Sequence, residues 1–289
     1  MLEQTLIWYA RNFPIQRGKL RVVNNLWQLA ARARGPQRIA VLKHGGLKAP
    51  CDLSEMLQRQ FYFFGTYFLE REILALWADL ARQVEVIFDI GANAGIYSLA
   101  ALASNPDADV YAFEPTPQIA DRLRSTVALN GLARLHVEEM AVSDATGNKT
   151  LRRCRGGQGA DNGGMNFLVD GPATDDGDEQ VCTVTLDDYC AERGLSRIDL
   201  LKMDIQGHEY AALRGAGGLL NRGAISCIFL ELNWMEGDDC PAEACVRLLD
   251  RHGYLFSAPR GKPEWRPAGP WLRGLSDVVA SLPEKGTVS

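Results

Sequence analysis

From Val86 onward the chain alternates short, β-branched apolar runs with segments of helical spacing, and this alternation constrains the fold more than any other feature. A strand that is followed by a helix and then another strand returns to the same end of the sheet, so the sheet is mainly parallel with helices on both faces. Val86–Ile90 reads as the first strand, 109–114 as the second and Leu135–Glu138 as the third. Residues 198–204, Ile225–Glu231 and 254–257 read as the fourth to sixth. Between them, 95–103 and 208–215 read as helices, and Pro241 opens a third that Gly253 closes. Thr116 is placed as an N-cap with Pro117 at the first helical position; Ile119, Leu123 and Val127 then form one stripe, and Asn130-Gly131 ends the helix. No helix precedes Asp277–Ser281, so that last strand must return antiparallel.

Composition enters as an exclusion. With 46% hydrophobic and 23% charged residues, the 289-residue chain is neither disordered nor fibrous. No apolar run approaches the ~18 to 20 residues of a membrane-spanning helix. The first ten residues carry Glu3 and only a short apolar stretch, too poor for a secretion signal. Seven cysteines without a C-x-x-C pair argue for a reducing compartment, and Cys227 reads as a small core hydrophobe. The expectation is a soluble, cytoplasmic protein.

Charge is unevenly spread. Residues 1–51 hold nine Lys or Arg (Arg11, Arg17, Lys19, Arg21, Arg32, Arg34, Arg38, Lys43, Lys48) against Glu3 alone. That segment is net +8 in a chain of net −5, which leaves −13 for the remainder. Residues 1–60 are therefore expected to form a basic helical extension and 61–289 the α/β domain, with a glycine-rich excursion at 144–183. The basic face is either solvated or docks an anionic membrane surface, a phosphate-bearing substrate or an acidic partner. The excursion, with Arg152, Arg153 and Arg155, is expected to border the substrate pocket. Oligomeric state is not legible.

In an open parallel sheet, ligands bind beyond the carboxyl ends of the strands. The first strand ends in Asp89-Ile90-Gly91-Ala92-Asn93-Ala94-Gly95, whose glycines allow a sharp turn and close backbone approach. The spacing is G-x-x-x-G, not the G-x-G-x-x-G of a dinucleotide site, and Asp89 would repel a pyrophosphate. It suits a cation. Glu114, ending the second strand, is placed to accept hydrogen bonds from ribose hydroxyls. An adenosine with a cationic amino-acid tail satisfies both carboxylates, and S-adenosylmethionine is such a molecule.

The segments 89–98, Phe113-Glu114-Pro115, Ala141-Val142-Ser143-Asp144, Thr185-Leu186-Asp187-Asp188-Tyr189 and 201–209 together resemble the ordered signatures of FkbM-type methyltransferases, across roughly residues 60 to 282. The resemblance implies a Rossmann-like class I S-adenosylmethionine-dependent methyltransferase that O-methylates hydroxyls of sugars, glycolipids or natural products. Carried over, Asp89, Gly91, Ala92, Asn93 and Gly95 hold the methionine part, Glu114 with Pro115 the ribose, and Ala141 and Val142 the adenine. Tyr67 becomes a lid residue. Two positions depart from the family pattern. Gln206 stands where the block D-x-E-G-x-E has its first Glu, and Phe68 follows Tyr67 where an acid is usual, with Glu70 the nearest candidate.

Asp204, ending the fourth strand, is expected to orient or deprotonate the acceptor hydroxyl. His208 is a second candidate base and Glu231 a candidate acceptor ligand. These three are also ligand types suited to a divalent metal, and the sequence assigns none. N-methylation of an amine or peptide, or a cofactor-binding module without turnover, remain the alternatives. The negative body and the absence of an Asp/Asn-Pro-Pro-aromatic block speak against nucleic acid as a stable partner.

Overall fold

The first sixty residues are tied together by charge as much as by apolar contact. In the computed structural model, which describes residues 2–13, 18–31, 35–43, 45–153, 166–169, 171–173, 177–232, 234 and 240–283, they form α1 (Leu2–Asn12), α2 (Lys19–Ala31), a hairpin of β1 (Gln37–Val41) and β2 (Lys48–Asp52), and the start of α3 (Met56–Phe64). The helical extension thus also contains a two-stranded sheet. Glu3, the only acid before Asp52, accepts from Arg38 Nε at 2.5 Å and from the Tyr62 hydroxyl at 2.5 Å. Arg11 donates to the carbonyls of Val41, Tyr62 and Phe63, and the buried Lys19 donates to that of Ala10. Three of the nine leader cations therefore hold the leader to itself and to α3. Arg21, Lys43 and Lys48 face solvent, and Arg17, Arg32 and Arg34 lie outside the described residues.

Helix α4 (Arg71–Ala81) leads into the main sheet, and the alternation read from the sequence maps onto it nearly strand for strand: β3 (Val86–Ile90), α5 (Ile96–Ser104), β4 (Asp109–Phe113), α6 (Pro117–Asn130) and β5 (Leu135–Glu138). Thr116 precedes α6 without a side-chain cap bond, and Gly131 closes that helix at φ 64°. The excursion is more regular than its glycine content suggests. Strands β6 (Ala141–Val142), β7 (Gly147–Arg152), β8 (Phe167–Val169) and β9 (Glu179–Val184) make a second sheet in the order β6-β9-β7-β8. The stretch 154–165, which holds Arg155 and the glycine clusters, lies outside the described residues. Then come α7 (Leu186–Arg193), β10 (Ile198–Met203), α8 (Glu209–Arg214), α9 (Gly217–Asn221), β11 (Ile225–Glu231), α10 (Pro241–Arg251), β12 (Leu255–Ser257) and β13 (Asp277–Ser281).

The main sheet has the order β12-β13-β11-β10-β3-β4-β5. All pairs are parallel except those of β13, which inserts antiparallel between β11 and β12. This is the expected class I methyltransferase sheet. Because strand side chains alternate, each face has its own core. Ile87, Val110, Leu200 and Phe229 pack against α4, α5 and the leader, whereas Phe88, Phe113, Leu201 and Ile228 pack against α7 to α10. No described helix is long and apolar enough to cross a membrane.

Candidate active site

Two loops at the carboxyl ends of β3 and β10 touch each other, and that contact sets the site. Gly91 adopts φ 77°, and a Cβ there would lie 2.1 Å from the carbonyl oxygen of Asp204. Only glycine fits. The Asp204 amide in turn donates to the Ile90 carbonyl at 3.2 Å. Gly91 and Ala92 amides both donate to Phe113 at the end of β4, so the three strand ends are laced together.

A cleft of about 850 Å³, its mouth included, opens over these ends. Of the residues expected to hold cofactor, Tyr67, Gly91, Ala92, Asn93, Glu114, Pro115, Ala141 and Val142 line it. Asp89 and Gly95 do not. Asp89 is buried behind the loop, where its Oδ2 accepts from the Ser98 amide at 3.0 Å and hydroxyl at 2.6 Å. Gly95 caps α5 at φ 77° against Leu123. Glu114 accepts from the Asn93 amide at 3.1 Å and the Thr116 amide at 2.9 Å. Burial pushes the carboxyl groups of Asp89 and Glu114 up, against the bonds and charges that favour their ionised forms. The excursion contributes Leu151 and Leu168 to this cleft; Arg152 pairs with Asp178 and Arg153 with Glu179. Its described strands therefore border the cofactor cleft, and Arg152 and Arg153, two of the three arginines expected at the substrate pocket, form ion pairs within the excursion, while Arg155 lies outside the described residues.

A second cleft, of about 830 Å³, lies on the other side of a shared wall made by Glu70, Tyr97, Lys202 and Asp204. Its remaining walls include Leu69, Glu231, Arg260 and Asp277. Lys202 is the residue that sequence reasoning missed. Its side chain is buried, with Nζ 3.3 Å from Asp204 Oδ2 and 4.7 Å from the centre of the Tyr97 ring. The signal was present: Lys202 and Asp89 sit inside apolar strands and stand opposite each other in register, and a buried charge needs a counter-charge. Burial works against the ammonium, but Asp204, Asp89 and Glu70 together hold it above the usual lysine range.

Asp204 keeps 38% of its side-chain exposure through the clefts. Dense packing opposes its charge, yet Lys202 and hydrogen bonds from Glu231 and Gln206 hold it below the ordinary range. Glu231 goes the other way: burial, the charge of Asp204 and the bond between the two push it up to about 9. Of the two carboxyl groups, Asp204 is thus the one held toward its ionised form and Glu231 the one held toward its protonated form. Gln206 Nε2 donates to Asp204 Oδ1 at 2.9 Å and to Glu231 Oε2 at 3.1 Å. Glu70 accepts from the Tyr97 hydroxyl at 2.8 Å.

His208 is not in this company. It lines neither cleft, and its Nε2 lies 2.9 Å from the Ser143 hydroxyl. The reason is local: Glu209 accepts from the amides of Ile205 and Gly207, curling the segment after Asp204 into a turn that carries His208 away. Among the described residues no group of three or more His, Cys, Asp or Glu is arranged to hold a metal ion.

The family model described as Methyltransferase FkbM domain matches residues 89–256. The chain belongs to that family. The 2-O-methyltransferase NoeI of Sinorhizobium fredii is 30% identical over 203 residues, covering 67% of this chain and 81% of the relative. The 31-O-demethyl-FK506 methyltransferase FkbM of Streptomyces tacrolimicus is 32% identical across 51% of this chain and 67% of its own length. The hexuronic acid methyltransferase AglP of Haloferax volcanii is 24% identical across 57% and 62%. This FkbM-family chain is an S-adenosylmethionine-dependent methyltransferase. Its cleft fits that cofactor on its own terms. The Tyr67 hydroxyl, Asp89 Oδ1 and Asn93 Oδ1 are buried with no hydrogen-bond partner, and leaving such atoms unpaired costs ~1–3 kcal/mol each. Of these, the Asn93 acceptor and the Tyr67 hydroxyl line the cleft and suit the polar groups of an amino-acid tail, Asp89 adds negative charge from behind the loop, and the Glu114 carboxylate beside Asn93 suits a diol.

Proposed function

We propose that this chain methylates a hydroxyl of a sugar or a hydroxylated natural-product metabolite, with Asp204 orienting that hydroxyl and receiving its proton. The observation that carries the reading is the shared wall, where Asp204 is exposed to both clefts at once. The cofactor, when bound, supplies an electrophilic methyl group on a sulfonium. Tyr67, Asn93 and Glu114 would hold it, and Asp89 would add negative charge behind the loop.

In-line displacement gains most of its speed from alignment, so the chain's first task is to hold the acceptor oxygen against the wall. An ionised Asp204 would accept the hydroxyl's hydrogen bond and leave the oxygen's lone pairs free for attack. As oxygen gains its new bond to carbon, its proton becomes strongly acidic, so a carboxylate of low pKa suffices to take it. The carbon–sulfur pair of electrons stays with sulfur, and the products are a methyl ether, S-adenosylhomocysteine and protonated Asp204. Glu231, protonated at neutral pH, and Asp277 are available as acceptor ligands on the far wall.

The names of two relatives, a 2-O-methyltransferase and a hexuronic acid methyltransferase, support oxygen and sugar. Methyl-labelled cofactor incubated with neutral methyl glycosides, uronic acids, hydroxylated macrolides and primary amines tests this by mass spectrometry. A labelled methyl ether is expected. Label found only on nitrogen would replace the reading.

A further inference from the structure

Gln206 adopts φ 56°; among the described residues only one other non-glycine, Asn93, has a positive φ. An L side chain in that region carries strain of order 1–3 kcal/mol, which persists only where the surroundings fix it. Here the conformation places one amide nitrogen between two carboxyl groups, 2.9 Å from Asp204 Oδ1 and 3.1 Å from Glu231 Oε2. Each hydrogen of the amide serves one acid. On the other oxygen of Asp204 stands the Lys202 ammonium, at 3.3 Å.

Crowded carboxyl groups can be joined by a divalent cation, which takes oxygen ligands at ~2.0–2.6 Å. That arrangement does not fit these residues. An amide NH2 is a donor and not a metal ligand, and it points at both acids from the space a bridging cation would need. A dication at Asp204 would also stand within a few ångströms of a buried ammonium, where like charges repel strongly. The family pattern, with Glu at this position, would reverse the arrangement by supplying a third oxygen ligand and removing the donor.

We propose that Gln206 is a positioning residue which, together with Lys202, replaces a divalent cation in this chain: the amide bridges Asp204 to Glu231, the ammonium supplies the charge, and methyl transfer proceeds without a metal at the pair. This rests on the reading above only in taking Asp204 as the residue facing the acceptor.

The test titrates Mn²⁺ into the full-length chain by calorimetry and electron paramagnetic resonance, for wild type, Gln206→Glu and the double variant Lys202→Met/Gln206→Glu. Wild type is expected to bind no Mn²⁺ tighter than millimolar. At least one variant should gain tenfold or more in affinity and show a Tm that rises with Mn²⁺. A wild-type circular-dichroism spectrum with a single cooperative melting transition marks a variant as folded. On the hydroxyl acceptor that turns over in the product screen, wild-type rate should survive chelator, and Gln206→Ala should lose about tenfold in kcat with KM little changed. Tight Mn²⁺ binding by wild type that Asp204→Asn abolishes overturns the proposal. So does failure of both folded variants to bind Mn²⁺, because neither side chain then stands where a cation would. The metal titration needs no acceptor, so an empty product screen would count against the hydroxyl reading and leave this result standing.

Discussion

The cofactor cleft is shaped largely by backbone and the acceptor cleft by side chains. On the first side, Gly91 at φ 77° brings β3 against β10, main-chain amides of Gly91, Ala92, Asn93 and Thr116 are tied off, and Glu114 is fixed by two of them. On the second, the walls are Glu231, Arg260 and Asp277, and the working charges depend on one another through Lys202 and Gln206. A backbone-built site fixes where a ligand goes whatever its state of charge. A site built from coupled acids can be retuned by one substitution, which is how a shared scaffold serves different acceptors.

That contrast can be broken most severely at the point the two sides share. Gly91→Ala puts a methyl group 2.1 Å from a backbone oxygen that cannot move alone. It should lose more than ~100-fold in S-adenosylhomocysteine affinity together with all turnover, and several kcal/mol of stability. Asp204→Asn should separate the sides, lowering kcat by ~10²–10³ while S-adenosylhomocysteine affinity stays within about threefold. Equal losses in both would show that the acceptor wall also builds the cofactor site. Glu114→Gln acts in the opposite sense. Its amide can satisfy only one of the Asn93 and Thr116 amides, which should cost ~1–3 kcal/mol, read by calorimetry as ~10–100-fold weaker S-adenosylhomocysteine binding; kcat at saturating cofactor should change much less.

The smallest effect is one of stability. Glu231 titrates near 9 in the folded chain and at about 4.3 when unfolded. Between those values the folded state binds the extra proton, so stability falls as pH rises through the window. Glu231→Gln removes that dependence. Its Tm should exceed wild type by a few degrees at pH 8, with the difference closing toward pH 5, as differential scanning calorimetry at both pH values would show.

The strands of the main sheet were legible because each is a β-branched run bounded by turn residues, and Val86–Ile90 and Leu135–Glu138 coincide with the expectation to the residue. The hairpin at 37–52 was hidden by Pro50, which argues against a strand in sequence and is tolerated here because the sheet has only two strands. The second sheet was hidden by the glycines between its strands. His208 was misplaced because spacing alone puts it one turn beyond Asp204, while the carboxylate of Glu209 curls that turn the other way. Lys202 could have been found from Asp89 by laying the first and fourth strands side by side; what spacing could not supply was the meeting of Gln206 with two acids from different strand ends.

The insertion of β13 between β11 and β12 bears on how the two clefts are completed. Residues 57–206 supply every wall of the cofactor pocket, whereas Ser276 and Asp277 of the acceptor wall arrive with the final ribbon. The nucleoside side therefore owes nothing to β13, whereas the acceptor side is completed by it. The same ribbon covers backbone ladders of β11 and β12 that would otherwise be unpaired edges, so one strand both closes the sheet and finishes a wall of the acceptor cleft.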